Sequence, residues 1–116
     1  MQNGKIVYRY TVKNGKFFVH EGVVNDTGFR TLVNFKDHSP SLRCPRDEEF
    51  GIIRTVGHSL WMTERDDNKA RRLFINYEIN KIVDMEEQIR RKKETLKMLY
   101  RGMDTKTLES ELPPGM

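Results

Sequence analysis

The chain has 116 residues, of which 36% are hydrophobic and 33% charged, and its formal net charge is +4. This length predicts one domain with a modest core, and the single cysteine excludes an intrachain disulfide or a zinc site built on cysteine pairs. No apolar run approaches the about 18 residues of a membrane span, and the first residues lack the apolar core of a signal peptide. We therefore expect a soluble cytoplasmic protein whose positive charge suits an acidic partner, either nucleic acid or an acidic protein surface.

Two strand-like segments open the chain, "NGKIVYRYTVK" and "NGKFFVHEGVV". Asn14-Gly15 between them predicts a type I′ hairpin turn, because both central residues of that turn need positive φ. Pairing Lys13 with Lys16 brings the apolar residues of both strands onto one face, and only Glu21, opposite Tyr8, breaks the pattern. The apolar pairs predicted in this register are Val12 with Phe17, Tyr10 with Val19, and Ile6 with Val23.

The next turn falls in "NDTG". A three-residue loop with a left-handed bulge at Gly28 pairs Val23 with Thr31 and returns Phe29, Val33 and Phe35 to the buried face. We therefore predict a three-stranded antiparallel meander. Its aromatic residues are expected in the core rather than on a base-stacking platform; they are Tyr8, Tyr10, Phe17, Phe29 and Phe35. Residues 37–50 read as a loop, and residues 50–57 as a fourth strand at an edge.

A long helix is predicted over residues 64–101. Thr63 and Asp66 resemble a capping box, and Gly102 is the first helix-ending residue. Such a helix is about 57 Å long, whereas a compact domain of this size is about 35 Å across, so the sheet cannot cover all of it. Trp61 is expected to pin the start of the helix against the sheet. The predicted fold is α+β, a three- to four-stranded antiparallel meander (sheet over residues 5–62) followed by one long, partly projecting C-terminal helix, with one domain over residues 1–103 and a flexible tail over 104–116.

The distal part of this helix carries apolar residues every seven positions, which are Ile75, Ile82, Ile89, Leu96 and Met103. Ile79, Glu86, Lys93 and Tyr100 lie between them, and the two charged residues weaken a leucine-zipper interpretation. The helix could pair with a second copy, pack on a partner, or stand in solvent supported by Glu86–Arg90 and Glu87–Arg91 pairs. The candidate dimer stripe is Ile82, Ile89, Leu96 and Tyr100.

A basic run on the same helix is the main functional pointer; it comprises Arg90, Arg91, Lys92 and Lys93, followed by Lys97 and Arg101. Four consecutive helical residues surround the helix, so the run suits phosphate contacts without base specificity, or docking on an acidic protein. A merely solvated face is the alternative, because Glu86, Glu87 and Glu94 flank the run.

Catalytic and metal sites find little support in the sequence. His38 and Cys44 match no recognised metal-ligand spacing, and Cys44 lacks a glycine-rich nucleophile turn for a Cys–His pair with His20, His38 or His58. Residues 47–49 and 66–67 are acidic, but they read more simply as a solvated loop and a helix start. We therefore expect no enzyme activity, no metal and no cofactor, with an enzyme built on Cys44 as the weakest alternative.

The chain resembles a group of known proteins in three segments. These are "KIVYRYTV", "FGIIRTVGHSLWMTERDDNKARRLF" and "INKIVDMEEQIRRKKETLKML". It resembles small uncharacterised proteins of phages and other mobile elements in Firmicutes bacteria, and it is similar in size, charge and lack of chemistry to anti-CRISPR proteins. The resemblance implies a protein of the bacterial host cytoplasm that binds and inhibits a nucleic-acid-targeting defence complex such as Cas9. It carries over no catalytic residue. The alternative is a sequence-nonspecific nucleic-acid-binding or regulatory protein that uses the basic helix, as a coiled-coil dimer.

Overall fold

The structure, a computed structural model, describes residues 2–54 and 58–103; the predicted flexible tail lies outside these residues. Its one sheet is antiparallel, with strands in the order β4-β3-β2-β1-β5, and a long helix follows. The α+β prediction is therefore confirmed. The strands are β1 (Ile6–Lys13), β2 (Lys16–Asp26), β3 (Thr31–Phe35), β4 (Leu42–Arg43) and β5 (Ser59–Met62), a 3-10 turn covers Asp47–Glu49, and helix α1 covers Asp67–Arg101.

The β1–β2 hairpin has the predicted register. Lys13 pairs with Lys16 and Tyr10 with Val19, and the register continues to Ile6 and Val23. Asn14 and Gly15 both have positive φ, at 53° and 72°. The turn chemistry and the alternation of apolar residues therefore define this hairpin together.

The predicted register between β2 and β3 is wrong. Val24, rather than Val23, lies on the same face as Val33, because Asp26 pairs with Thr31 and a four-residue loop, Thr27–Arg30, joins the strands. Gly28 has the expected positive φ of 87°, but its N–H donates to Asp26 Oδ1 within this loop rather than forming a bulge. Phe29 is consequently 100% exposed and does not join the core.

The reason for this error is that both faces of the sheet are covered, whereas the sequence interpretation assumed one buried face. One face carries Val7, Val24, Val33, Phe35 and Trp61, with Cys44 and Phe50 packed against them. The other face carries Tyr10, Leu60 and Met62 beneath Ala70 and Phe74 of α1. Val23 and Val24 therefore lie on opposite faces of the sheet, as the two-residue period of a strand requires.

The prediction of a fourth strand over residues 50–57 is also wrong for residues 50–54, the part of this range that the structure describes. Residues 50–54 contain only an isolated bridge between Arg54 and Ser59, and residues 37–50, read as a loop, supply the two-residue strand β4. The strand near this position is β5, which pairs with β1 through Tyr10–Leu60 and Arg9–Trp61.

Trp61 does not pin the start of α1. Alternation along β5 turns Leu60 and Met62 toward α1, whereas Trp61 packs on the opposite face against Phe35 and Phe50, with ring centroids 5.9 and 6.5 Å away. The Arg9 guanidinium lies 5.9 Å from the Trp61 ring centroid. The residues that anchor α1 are therefore the neighbours of Trp61 rather than Trp61 itself.

Helix α1 begins at Asp67, three residues later than predicted, and ends at Arg101 as predicted. Asp66 takes the capping role assigned to Thr63, because its Oδ1 accepts the Lys69 N–H at 3.0 Å. At the other end, the Gly102 N–H donates to the Leu99 carbonyl at 3.2 Å.

The chain divides into two compact units, Met1–Tyr77 and Glu78–Met116. The first unit holds the sheet and the first turns of α1. In the second unit, every side chain from Glu78 to Leu99 is exposed except that of Glu87, which is half-buried. No helix within residues 2–54 and 58–103 combines the length and the apolar character needed to cross a membrane.

Candidate interaction site

The two arginines of the predicted basic run are bound to carboxylates of their own helix. Arg90 donates from Nε and Nη2 to Glu87 at 3.0 and 2.6 Å, and from Nη1 to Glu94 Oε1 at 2.7 Å. Arg91 Nε donates to Glu87 Oε1 at 3.0 Å, which is the predicted Glu87–Arg91 pair. Arg90 pairs with Glu87 and Glu94 rather than with Glu86.

These pairs change the electrostatics of Arg90 and Glu87. The hydrogen bonds from Arg90 lower the pKa of the Glu87 carboxyl, and those to Glu87 raise the pKa of the Arg90 guanidinium. All the groups are on the surface, where such pairs are weak and screened by salt. A phosphate could therefore displace the carboxylates from Arg90. While the pairs with Glu87 and Glu94 are formed, however, Arg90 attracts a phosphate less strongly than an unpaired arginine would.

The remaining predicted cations have no ion pair in the part of the chain that the structure describes; they are Lys92, Lys93, Lys97 and Arg101. Lys93, Lys97 and Arg101 follow one another at intervals of four residues, so they lie along one side of α1 over about 12 Å. We call these three residues the basic row. Lys92 points in a different direction, about 100° around the helix from Lys93. The ion pairs of Arg90 and Arg91 thus leave two groups of unpaired cations in the described chain, Lys92 on one side of the helix and the basic row on another.

The predicted dimer stripe lies at the surface. The side chains of Ile82 and Ile89 are just over half exposed, Leu96 is more than a third exposed, and Tyr100 is half-buried. Exposed apolar residues between these positions extend the stripe, including Met85 and Leu99. So many large apolar side chains on one helix are unusual for a surface without a partner.

Sequence reasoning missed an open groove of about 640 Å³ at the end of the sheet where β3 and β4 meet. Arg30, Arg43, Arg46 and Arg54 line it, and the exposed Phe29 lies at the same place. Arg54 Nη2 lies 3.4 Å from Glu49 Oε2, and Asp47 and Glu48 also line the groove, so the opposed charges largely cancel. No sequence signal could have found the groove, because its arginines are spread over 25 positions and come together only through the β3–β4 pairing, the 3-10 turn and the bridge between Arg54 and Ser59.

The cysteine and two of the histidines considered for catalysis or metal binding lie in contact with neighbouring side chains of the fold. Cys44 is a free, half-buried thiol beside the Trp61 cluster, and burial raises its pKa. We use this name for the buried residues Val7, Val24, Val33, Phe35 and Trp61. His20 Nδ1 bonds to Asp37 Oδ2, and hydrogen bonds from Ser39 and His20 hold the pKa of Asp37 well below its usual range. His58 packs edge-on against Tyr77. Across residues 2–54 and 58–103, no three His, Cys, Asp or Glu side chains are grouped to hold a metal ion.

Comparisons with protein-family models, with curated protein sequences and with solved structures find no match for this chain.

Proposed function

We propose that the protein is a binding protein that contacts an acidic target through the basic row of α1. The observation that carries this proposal is that Lys93, Lys97 and Arg101 lie on one side of a helix with no carboxylate partner in the described chain. Three aligned cations suit a row of phosphates or an acidic protein strip, and they contact it without reading bases. Such a contact needs no catalytic group.

The particular target proposed is a nucleic-acid-targeting defence complex of a bacterial host, such as Cas9 with its guide RNA. The resemblance to phage and mobile-element proteins supports this choice. A ribonucleoprotein offers closely spaced phosphates, so it suits a helix on which three cations lie in a row. On this proposal the protein inhibits by occupying the nucleic-acid path of the complex.

A pull-down on guide-loaded Cas9 tests the proposal, together with a DNA-cleavage assay and phage plating on cells with active CRISPR immunity. We expect binding and inhibition by the wild-type chain and at least a tenfold loss when Lys93, Lys97 and Arg101 are all changed to Ala. The matched control changes Lys5, Lys13 and Lys16, three exposed lysines of the first unit, and removes the same charge. Absence of binding and of phage protection contradicts the anti-defence function.

Direct binding of nucleic acid is the second candidate, and the same basic row favours it. Three phosphate contacts predict that the logarithm of the association constant falls with the logarithm of salt with a slope of about −2.7 on duplex DNA. The triple alanine variant should flatten this slope. Tight binding to free duplex with no effect on the defence complex would favour this candidate over the first, and a flat slope for the wild-type chain would exclude it.

A further inference from the structure

In the second compact unit of the chain, helix α1 carries a continuous seam of residues with heptad spacing. The residues of this seam, all but one of them apolar, follow one another at alternating intervals of three and four, as the a and d positions of a coiled coil do. We call these residues the α1 seam; they are Ile82, Met85, Ile89, Lys92, Leu96 and Leu99, of which Lys92 is the one charged member. The exposed fractions are 54% for Ile82, 57% for Met85, 52% for Ile89, 37% for Leu96 and 58% for Leu99.

We propose that the α1 seam is covered by the same seam of a second copy of this chain, in an antiparallel two-helix coiled coil. This inference goes beyond the proposed function, since it concerns a different side of α1 from most of the basic row. It also replaces the stripe predicted from the sequence, because Met85 and Leu99 lie on the seam and Tyr100 lies at its edge.

The seam is complementary to itself when the two helices run in opposite directions. In an antiparallel coil each a residue faces a d residue of the other helix, and the intervals of the seam allow this pairing in every layer. Leu99 of one copy then faces Ile82 of the other, and Leu96 faces Met85. Ile89 faces Lys92 at the centre, and every layer occurs twice because the arrangement has two-fold symmetry.

Lys92 decides the direction of the helices. In a parallel pair each d residue faces its own counterpart, so two Lys92 ammonium groups would oppose each other within an apolar layer. In the antiparallel pair Lys92 packs its methylenes beside Ile89 and extends its ammonium group to solvent at the edge. The antiparallel direction therefore avoids a like-charge contact in the core of the interface.

The residues that flank the seam agree with this direction. The e positions, which directly follow the d positions, face one another across an antiparallel coil. Glu86 of one copy then faces Lys93 of the other, and Ile79 faces Tyr100. Two-fold symmetry repeats each of these pairs. A parallel pair offers Lys81 opposite Glu86, but it also leaves Ile79 and Tyr100 without an apolar counterpart. Glu86 and Lys93, which weaken the zipper interpretation of the sequence, thus become opposite charges at one interface. Lys97 and Arg101 stay outside it, and Lys93 lies at its solvent-exposed edge, where an ion pair is weak enough for a target phosphate to replace it.

The buried area is sufficient for a stable pair. Covering the exposed parts of the seam and its two apolar flanking residues removes on the order of 600 Å² per copy from water, against the about 1,000 Å² in total that marks a specific interface.

The mass of the purified full chain in solution tests self-association without any host component. At about 50 µM, light scattering should give twice the 13.8 kDa chain mass. Ile89→Asp places two charges in the central layers and should raise the dissociation constant at least 100-fold. Val83→Asp is the matched control: Val83 is 56% exposed but lies on the opposite side of α1, so this variant should remain a dimer. Circular dichroism checks that both variants stay helical.

Cysteine cross-linking tests the direction of the helices. In a Cys44→Ser background, Met85→Cys and Leu96→Cys are prepared as separate single variants and then mixed under mild oxidation. We expect a mixed disulfide between the two variants and little cross-linking of either variant alone. Disulfides of each variant with itself indicate a parallel pair and overturn the proposal. A chain that stays monomeric at this concentration, or that pairs only after a different protein is added, also overturns it.

Discussion

The hydroxyl of Tyr10 on β1 donates to Asp67 Oδ1 at 2.9 Å and accepts the Asp66 N–H at 3.0 Å. The Tyr10 ring is fully buried, so one side chain of the central sheet holds the first residues of α1. These two bonds, together with the cap from Asp66, explain why the helix begins at Asp67 and not at residue 64.

We expect Tyr10→Phe to lower the free energy of unfolding by about 1–3 kcal/mol. The variant keeps the ring packing but removes the acceptor of the Asp66 N–H and leaves the Asp67 carboxylate with Arg65 alone. Urea denaturation followed by circular dichroism measures the change. Tyr8→Phe is the matched control, since the Tyr8 side chain lies on the same face and forms no hydrogen bond in the described part of the chain. Equal losses in both variants would contradict the role of the Tyr10 hydroxyl.

Tyr10 should also make the free energy of unfolding depend on pH in the alkaline range. Burial and the hydrogen bond to Asp67 raise the pKa of Tyr10 from 10.0 to about 12. Since the folded pKa lies above the unfolded one, this contribution is fully present below pH 10 and is lost as pH rises toward 12. The measurement is the unfolding free energy of wild type and Tyr10→Phe from pH 8 to about 12. The difference in unfolding free energy between the two proteins should shrink over this pH range. A difference that stays constant would contradict the contribution of Tyr10 to the pH dependence.

Gly22→Ala should destabilise the protein by about 1–3 kcal/mol, because a Cβ at Gly22 collides with the Val33 side chain and presses on the Phe35 ring. Gly22 is buried and lies opposite Phe35, a member of the Trp61 cluster, in the β2–β3 register. Gly102→Ala is the matched control, since the added methyl group meets only the Leu99 carbonyl at 3.7 Å. Thermal unfolding should separate the two variants, and a neutral Gly22→Ala would contradict this packing.

The Arg71 guanidinium lies 4.4 Å from the Phe17 ring centroid and forms a cation–π contact between α1 and the hairpin. Phe17 also meets Phe74 edge-on at 6.1 Å, so the ring lies between the helix and β1. We expect Arg71→Ala to cost about 0.5–1 kcal/mol, and Arg72→Ala, an exposed neighbour, to cost less. A double-mutant cycle with Phe17→Leu isolates the pair, and a coupling energy of zero would show that Arg71 contributes only through the helix.

The correct and incorrect predictions for the sheet differ in how far apart the deciding residues are. Asn14-Gly15 and the alternation around it lie within one hairpin, so local rules were enough for the β1–β2 register. The β2–β3 register depends on whether Val23 or Val24 faces Val33. Both are apolar, and the choice follows from the Trp61 cluster, which includes residues from distant parts of the chain.

The candidate sites follow the same division. The basic run and the heptad spacing are local properties of α1, and the sequence alone indicates both. Which cations remain unpaired depends on the rotamers that join Arg90 to Glu87 and Glu94, and the groove at β3 and β4 depends on a strand of two residues. Neither feature has a signal in composition or spacing.

The sequence by itself therefore determined the first hairpin, the single long helix and its end at Arg101, and the seven-residue repeat along it, because each depends on residues within a few turns of one another. Tertiary structure alone decided that the sheet has two covered faces, that "SLWM" is a strand with Trp61 turned away from the helix, and that Tyr10 sets the first residue of α1. Each of these depends on which apolar faces meet across long distances in the chain, and a local pattern does not contain that information.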